Sequence, residues 1–306
     1  MIKSIRTIMK QDKERYKVPR KVQDVIPIRR IWPDGIFQVG NKFTKMYRFT
    51  DINYLVASRE DKESMFLTYS ELLNSLDSGA TTKLTIYNHR QNRASFEKSI
   101  LMPMKEDGLD QYRKEYNQML LDKATGANGI MQEKYLTVSV ARKDVDEART
   151  YFSRIGADLS AHFAALGSKC MELTAAERLR MLHDFYRAGE ETTFDFDIKS
   201  MARKGHDIRD FICPDSIEKN KDHLILGDQY CRVLFLKDYA SYIKDSMVTE
   251  LTDLNRNMML SIDILPIPTD EAVHEVESRL LGVETNITNW QRRQNANNNF
   301  LSLIHI

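Results

Sequence analysis

The apolar residues of this chain switch between a period near two and a period near 3.6, and the switches lay out its elements. Residues 25–32, 35–39 and 43–49 read as three short strands. They are separated first by Pro33, Asp34 and Gly35 and then by Gly40 and Asn41, the punctuation of an antiparallel meander. Ser58 stands three residues ahead of Asp61 in the pattern of a capping box, and Met65, Phe66, Tyr69, Leu72, Leu73 and Leu76 follow at helical spacing up to Gly79. A strand returns over 83–87. Residues 104–125 read as helix, 125–129 as the loop that breaks it, and 135–141 as an alternating strand. Val145, Ala148, Phe152, Ile155, Leu159, Phe163 and Leu166 then keep helical spacing, with Gly167 placed as the C-terminal cap. Thr174 and Glu177 repeat the capping-box signature ahead of Leu179, Leu182 and Phe185, and this first set of elements ends near Gly189.

The second set begins loosely over 194–206 and tightens at Phe211, Ile212, Cys213 and Pro214. Residues 224–226 and 230–237 read as a hairpin across Gly227 and Asp228, 241–255 as a helix and 258–264 as a strand. From Thr269 a long helix carries Val273, Val276, Leu280, Val283, Ile287 and Trp290 at steps of three and four, one continuous apolar stripe. The order predicts an α+β fold of two subdomains with antiparallel sheets flanked by helices, broadly ferredoxin-like halves, without a sequence repeat between them. The expected layout is an arm over 1–24, subdomains over 25–189 and 190–268, and the long helix over 269–300.

That helix is expected to be cut short. It passes through the polar run 291–299 and ends in Leu301, Ser302, Leu303, Ile304, His305 and Ile306, which do not continue its pattern. Back-translated as CTG TCT CTT ATA CAC ATC, these residues resemble the end of a common transposon-based sequencing adapter. Residues 301–306 therefore read as a library artefact, and the natural protein is expected to continue past Phe300.

The chain has 306 residues, 42% hydrophobic and 29% charged, which is enough to bury a sizeable core. It has no apolar run near twenty residues and no secretory leader, so a place on the cytoplasmic side is expected. Its three cysteines, Cys170, Cys213 and Cys231, are far apart and read as reduced core thiols. A net charge of +1 hides an uneven spread: residues 1–30 hold ten Lys or Arg against Asp12, Glu14 and Asp24, a local +7. Ile2, Ile5, Ile8 and Met9 share one face of a short helix in this arm. It reads either as a solvated tail or as a helix resting on an anionic membrane or a partner.

Most candidate chemistry fails on spacing. A phosphate loop needs G-x-x-x-x-G-K-S/T opening a helix, whereas Gly167, Ser168 and Lys169 end one. His206 with Cys213 and His223 with Cys231 are too far apart for a local zinc loop. Asp195 and Asp197 flank Phe196 and would share one face of a strand, where a solvated face is the plainer reading than acid/base work. His162 and His183 lie in helices without a nucleophile at a defined spacing, and Arg90 with Arg93 reads as a loop surface. Trp290 with Arg292 and Arg293 offers an indole to a base and two cations to phosphates, a small footprint for nucleic acid beside the reading of a helix end. No catalytic, cofactor-binding or metal-ligating residue is assigned.

The ordered series of residues carries more. From Asp210, DFICPDSIEKNKDHLILGDQYCRVLFLKDYASYIKDSMVTEL followed by MMLSIDILPIPTDEAVHEVESRLL resembles the N-terminal region of the VirB-type conjugal transfer ATPases of type IV secretion systems. The resemblance rests on Pro214 with Ile217, on residues 230–236 with Tyr239, and on Ser261 with Asp263. The N-terminal half, with VQDVIPIRRIWPDGIFQVGNKFTKMYRFTDINY and DKESMFLTYSELLNSLDSGATTK, resembles the TraE/TrsE-like branch on integrative conjugative elements. One departure is Ala240, where many relatives have Pro after the Tyr. The resemblance implies a non-catalytic α+β domain ahead of a RecA-like motor that carries ATP and Mg and assembles as a hexamer. The motor's Walker motifs have no counterpart in this sequence, so no cofactor is expected in this chain. Expected partners are membrane-embedded channel subunits of the secretion system and further copies of the chain, at the inner face of the membrane, with weak anionic-lipid contact through the arm. The alternative is a nucleic-acid-binding module of a mobile element.

This reading predicts that the source locus stays in frame beyond the codon for Phe300 and reaches a G-x-x-x-x-G-K-S/T motif. Genomic sequence in which the gene stops after Ile306 would contradict it.

Overall fold

The computed structural model describes residues 19–77, 79–90, 101–126, 130–238 and 246–303. The expected arm helix, Arg93, residues 127–129 of the expected loop, Tyr239, Ala240, residues 241–245 of the expected helix and residues 304–306 lie outside them. The α+β class read from the sequence holds, with one seven-stranded and one three-stranded antiparallel sheet.

The strands of the large sheet are β1 (Ile28–Ile31), β2 (Phe37–Val39), β3 (Lys42–Phe49), β4 (Ala80–Arg90), β5 (Ile130–Ala141), β6 (Cys170–Glu172) and β10 (Met258–Ile264). Two crossovers shape it: α1 (Arg59–Asn74) leads from β3 to β4, and α3 (Val145–Ala165) from β5 to β6. The spatial order β6-β3-β5-β4, antiparallel throughout, is the ferredoxin-like arrangement. β3 shares its outer edge between two partners, β2 along residues 42–44 and β6 along 47–49.

Local chemistry fixes the helix ends. Ser58 Oγ accepts the Asp61 amide at 3.1 Å, and Asp144 Oδ1 accepts those of Asp146 and Glu147 at 3.0 and 2.9 Å. Gly167 closes α3 at φ +78°, in the left-handed region that glycine reaches without strain. Thr174 and Glu177 form the reciprocal capping box that opens α4 (Ala175–Tyr186). A further helix, α2 (Asp110–Gly126), lies between β4 and β5.

Alternation along the strands then gives the sheet two faces. Phe43, Tyr47, Leu136, Val138 and Val140 point to the side covered by α1 and α3, where Leu72, Phe152, Ile155, Leu159 and Phe163 complete the core. Tyr47 reaches across to donate to the Phe152 carbonyl at 3.3 Å. Gly156 permits the approach, since a Cβ there would meet Tyr47 at 3.4 Å and Glu172 Oε1 at 2.4 Å. The neighbours Met46 and Tyr135 point the other way, onto α4 through Met181 and Leu182. On that second face Ile26, Ile28 and Phe37 from the meander pack with Leu179 of α4 and with Ile208, Ile212 and Cys213.

Arg178 pins this second layer. Fully buried on α4, it donates to the carbonyls of Gly35 at 2.6 Å and Thr44 at 2.8 Å and to Thr44 Oγ1 at 3.0 Å, with its guanidinium 3.9 Å above the Phe37 ring. Gly35 is obligatory beneath it. Its φ is +79°, and a Cβ would fall 1.9 Å from the Leu173 carbonyl oxygen.

The second half differs from its sequence expectation in three places. Strand 258–264 forms with the expected bounds, but it pairs with β4, Met258 opposite Asn88 and Ile264 opposite Thr82, and so joins the first sheet. Its alternation of Leu260, Ile262 and Ile264 with Ser261 and Asp263 suits an edge position. The small sheet is β7 (Ile217–Lys219), β8 (Leu224–Leu226) and β9 (Gln229–Cys231). β9 stops at Cys231 because its partner starts at Leu224, and among the described residues no strand pairs with residues 232–238. Asp197 lies on no strand: it is the N-cap of α5 (Ile198–Lys204). α6 (Ser246–Thr252) and α7 (Thr269–Leu303) follow, and α7 continues past the point where the apolar stripe stops.

Replacing Arg178 with Met should lower unfolding free energy by about 2–4 kcal/mol, because two carbonyls and a hydroxyl lose buried donors. Lys, a point donor without the planar fork, should restore only part. A urea midpoint unchanged in Arg178→Met would contradict the pinning role.

Candidate docking surface

Several of the side chains singled out for chemistry are occupied in structural work. Asp197 accepts the Ser200 amide at 2.9 Å, and its bonds with Ser200 hold its carboxyl below the usual range. Asp195 and Asp197 border an open groove of about 400 Å³ with His206 and Asp210. Among the described residues no group of three or more His, Cys, Asp or Glu is arranged to hold a metal ion. His183 is buried, with Nδ1 3.2 Å from Asp184 and Nε2 3.3 Å from the Thr193 hydroxyl, tying the end of α4 to the turn that follows. His162 sits half-buried near the end of α3. His223 is held by Asp222 at 2.8 Å and Asn220 at 3.2 Å, away from any thiolate role with Cys231. Burial pushes the Cys170 and Cys213 thiols up to about 11 and the Cys231 thiol in the same direction, the opposite of a reactive cysteine. Ser168, in the tripeptide that resembled a phosphate loop, donates to the Thr50 carbonyl at 2.6 Å and fastens the end of α3 to β3.

One cluster escaped sequence reading because its members come from three strands. On the second face, Glu133 of β5 accepts the Tyr135 hydroxyl at 2.6 Å and an Arg48 guanidinium N–H from β3 at 3.3 Å. His89 Nε2 of β4 lies 3.3 Å from the same carboxylate without hydrogen-bond alignment, its ring stacked on Tyr87. Burial alone would raise the Glu133 carboxyl, but His89, Tyr135 and Arg48 together hold it down at about 2. Burial lowers His89, and the Glu133 carboxylate reverses this to a net rise. A carboxylate held this low is a poor proton acceptor at neutral pH, and its neighbours stabilise it as an anion.

Among the described residues, several apolar side chains lie open next to one another. Val233, Leu234, Phe235 and Leu236 follow the end of β9 and are all exposed, Phe235 at 83%. The outer edge of β10 has no partner strand among the described residues. Along α7 the residues from Val276 to Arg292 are exposed on every side, and the stripe ending at Trp290 lies open. The indole therefore belongs to a row of aliphatic residues, next to the exposed Arg292, more than to a separate basic patch. Arg90 sits at the exposed end of β4. Scattered exposed apolar residues are ordinary, but contiguous ones mark contact surfaces.

No protein-family model matches this chain, and no curated protein matches it. Among the described residues no helix is long and apolar enough to cross a membrane.

The Glu133 cluster makes a pH prediction. Its folded pKa of about 2 lies below the ordinary 4.5, so its stabilisation is complete above 4.5 and is lost as pH falls toward 2. The loss should be on the order of 2 kcal/mol, less than full linkage because the carboxylate keeps some water contact. Glu133→Gln should flatten that part of a stability–pH curve, and a variant curve parallel to the wild type would contradict the assignment.

Proposed function

We propose that this chain is the non-catalytic N-terminal docking and assembly domain of a conjugative type IV secretion ATPase. The observation that carries the reading is the exposure of residues 233–236, which lie in the 230–236 stretch on which the resemblance to the VirB-type transfer ATPases rests. In a core these four residues would need no further account. Exposed side by side next to a short hairpin, they call for a partner surface. The ferredoxin-like sheet, whose β10 edge has no partner strand among the described residues, and a helix leading away support the same role, a platform that presents edges and faces to a partner.

In this reading the partner is a membrane-embedded channel subunit. The chain works peripherally at the inner face of the membrane, and ATP and Mg belong to the motor domain that the resemblance implies. The basic arm adds electrostatic attraction to anionic lipid. Deleting residues 1–21 should weaken flotation with anionic vesicles, and unchanged flotation would remove the lipid part of the proposal.

Expressed in a donor cell that carries a conjugative element of this class, the chain should lower transfer by occupying the docking site. Phe235→Asp should relieve the inhibition, since burying a charge in place of a central aromatic anchor costs about 2 kcal/mol or more, roughly thirtyfold in affinity. Transfer unaffected by the wild-type chain, or strongly salt-dependent binding to single-stranded DNA in place of inhibition, would overturn the proposal.

A further inference from the structure

The apolar residues of α7 are more regular than docking on a sheet requires. Val273, Val276, Leu280, Val283, Ile287 and Trp290 follow one another at steps of three, four, three, four and three. In heptad lettering Val273, Leu280 and Ile287 take position a, and Val276, Val283 and Trp290 take d. A helix lying on a core shows a stripe broadened by e or g positions. Here Glu277 and Glu284 at e and Arg279 and Asn286 at g leave the narrow seam that repeats every 3.5 residues. Each of the six seam residues is at least half exposed, so the chain's own fold leaves the seam open.

We propose that α7 pairs with α7 of a second copy of this chain as a parallel, in-register coiled coil. The charges select the direction. In a parallel pair each g position faces the e position of the next heptad in the other helix, which places Arg279 beside the second copy's Glu284. The other such pairs, Ala272 with Glu277 and Asn286 with Gln291, bring no like charges together. An antiparallel pair centred on the seam would set e against e and bring Glu277 of each copy toward Glu284 of the other, two pairs of like charge. Arg279 is available for the exchange, because its ion pair among the described residues is with Glu275, one turn back on the same helix, where such a pair contributes little. The seam spans 18 residues, about 27 Å of helix, so the association is weak and concentration-dependent. It rests on α7 alone, independently of the role proposed for residues 233–236.

Sedimentation of the full chain over a dilution series should show a monomer–dimer equilibrium that Leu280→Asp abolishes. Because the α7 seam is exposed in the chain's own fold, that variant should match the wild-type thermal unfolding curve at dilutions where both are monomeric, which separates lost pairing from lost folding. Arg279→Glu should weaken the dimer several-fold, and adding Glu284→Arg should restore it. Under oxidising conditions Val283→Cys should form a disulfide between two copies of position 283, identified by mass spectrometry. A chain that stays monomeric at high micromolar loading overturns the proposal. So does a dimer that survives Leu280→Asp, a charge swap that fails to restore pairing, or a dimer without the 283–283 link.

Discussion

Arg178 carries a full charge into a place where, among the described residues, no carboxylate faces it. Only 5% exposed, it is solvated by two carbonyls, one hydroxyl and the face of Phe37, and its Nε finds no partner. Burial pulls its pKa down to about 9, which still leaves it protonated at neutral pH. A desolvated cation of this kind is costly unless the surrounding dipoles are fixed in place, so the site demands a rigid Gly35 turn and a rigid β3. In return it fastens α4 to the second face of the sheet. The meander, the turn around Ile208 and the packing of Cys213 all sit on that layer.

Once both faces are covered, the core is complete without residues 232–238 and without most of α7. That separation is what gives the exposed residues functional weight. The same sequence that buries Tyr47, Phe152 and Leu159 fully leaves Leu234 and Phe235 in water. β10 is intermediate: it belongs to the sheet through β4, yet its outer edge and the helix that follows it are turned toward whatever the chain meets.

Features governed by short-range chemistry were legible in the sequence. Ser58, Thr174 and Gly167 cap their helices because a hydroxyl three residues ahead of an acid, or a glycine after the last apolar position, acts within one turn. The bounds of 258–264 could be read because an alternating edge strand shows its period. Its partner could not, since nothing local says that Leu260 will lie opposite Ile86. Val233 to Leu236 looked like the continuation of a hairpin strand because a β-branched and apolar run signals a strand, whereas pairing depends on the length of the strand alongside. Asp197 looked like half of a carboxylate pair, although Asp is itself among the residues that cap helix N-termini. Arg178 and the Arg48–Glu133–His89 cluster were out of reach, since their geometry joins positions up to 143 residues apart.

The docking account can be tested on the backbone of residues 233–236. Measured by hydrogen–deuterium exchange, their amides should exchange quickly in the free chain. They should become protected when the chain binds membranes holding the conjugation channel, and stay fast on vesicles of the same lipids without it. Protection that never appears, or that appears equally on protein-free vesicles, would contradict the claim that this exposed segment is a protein-docking surface.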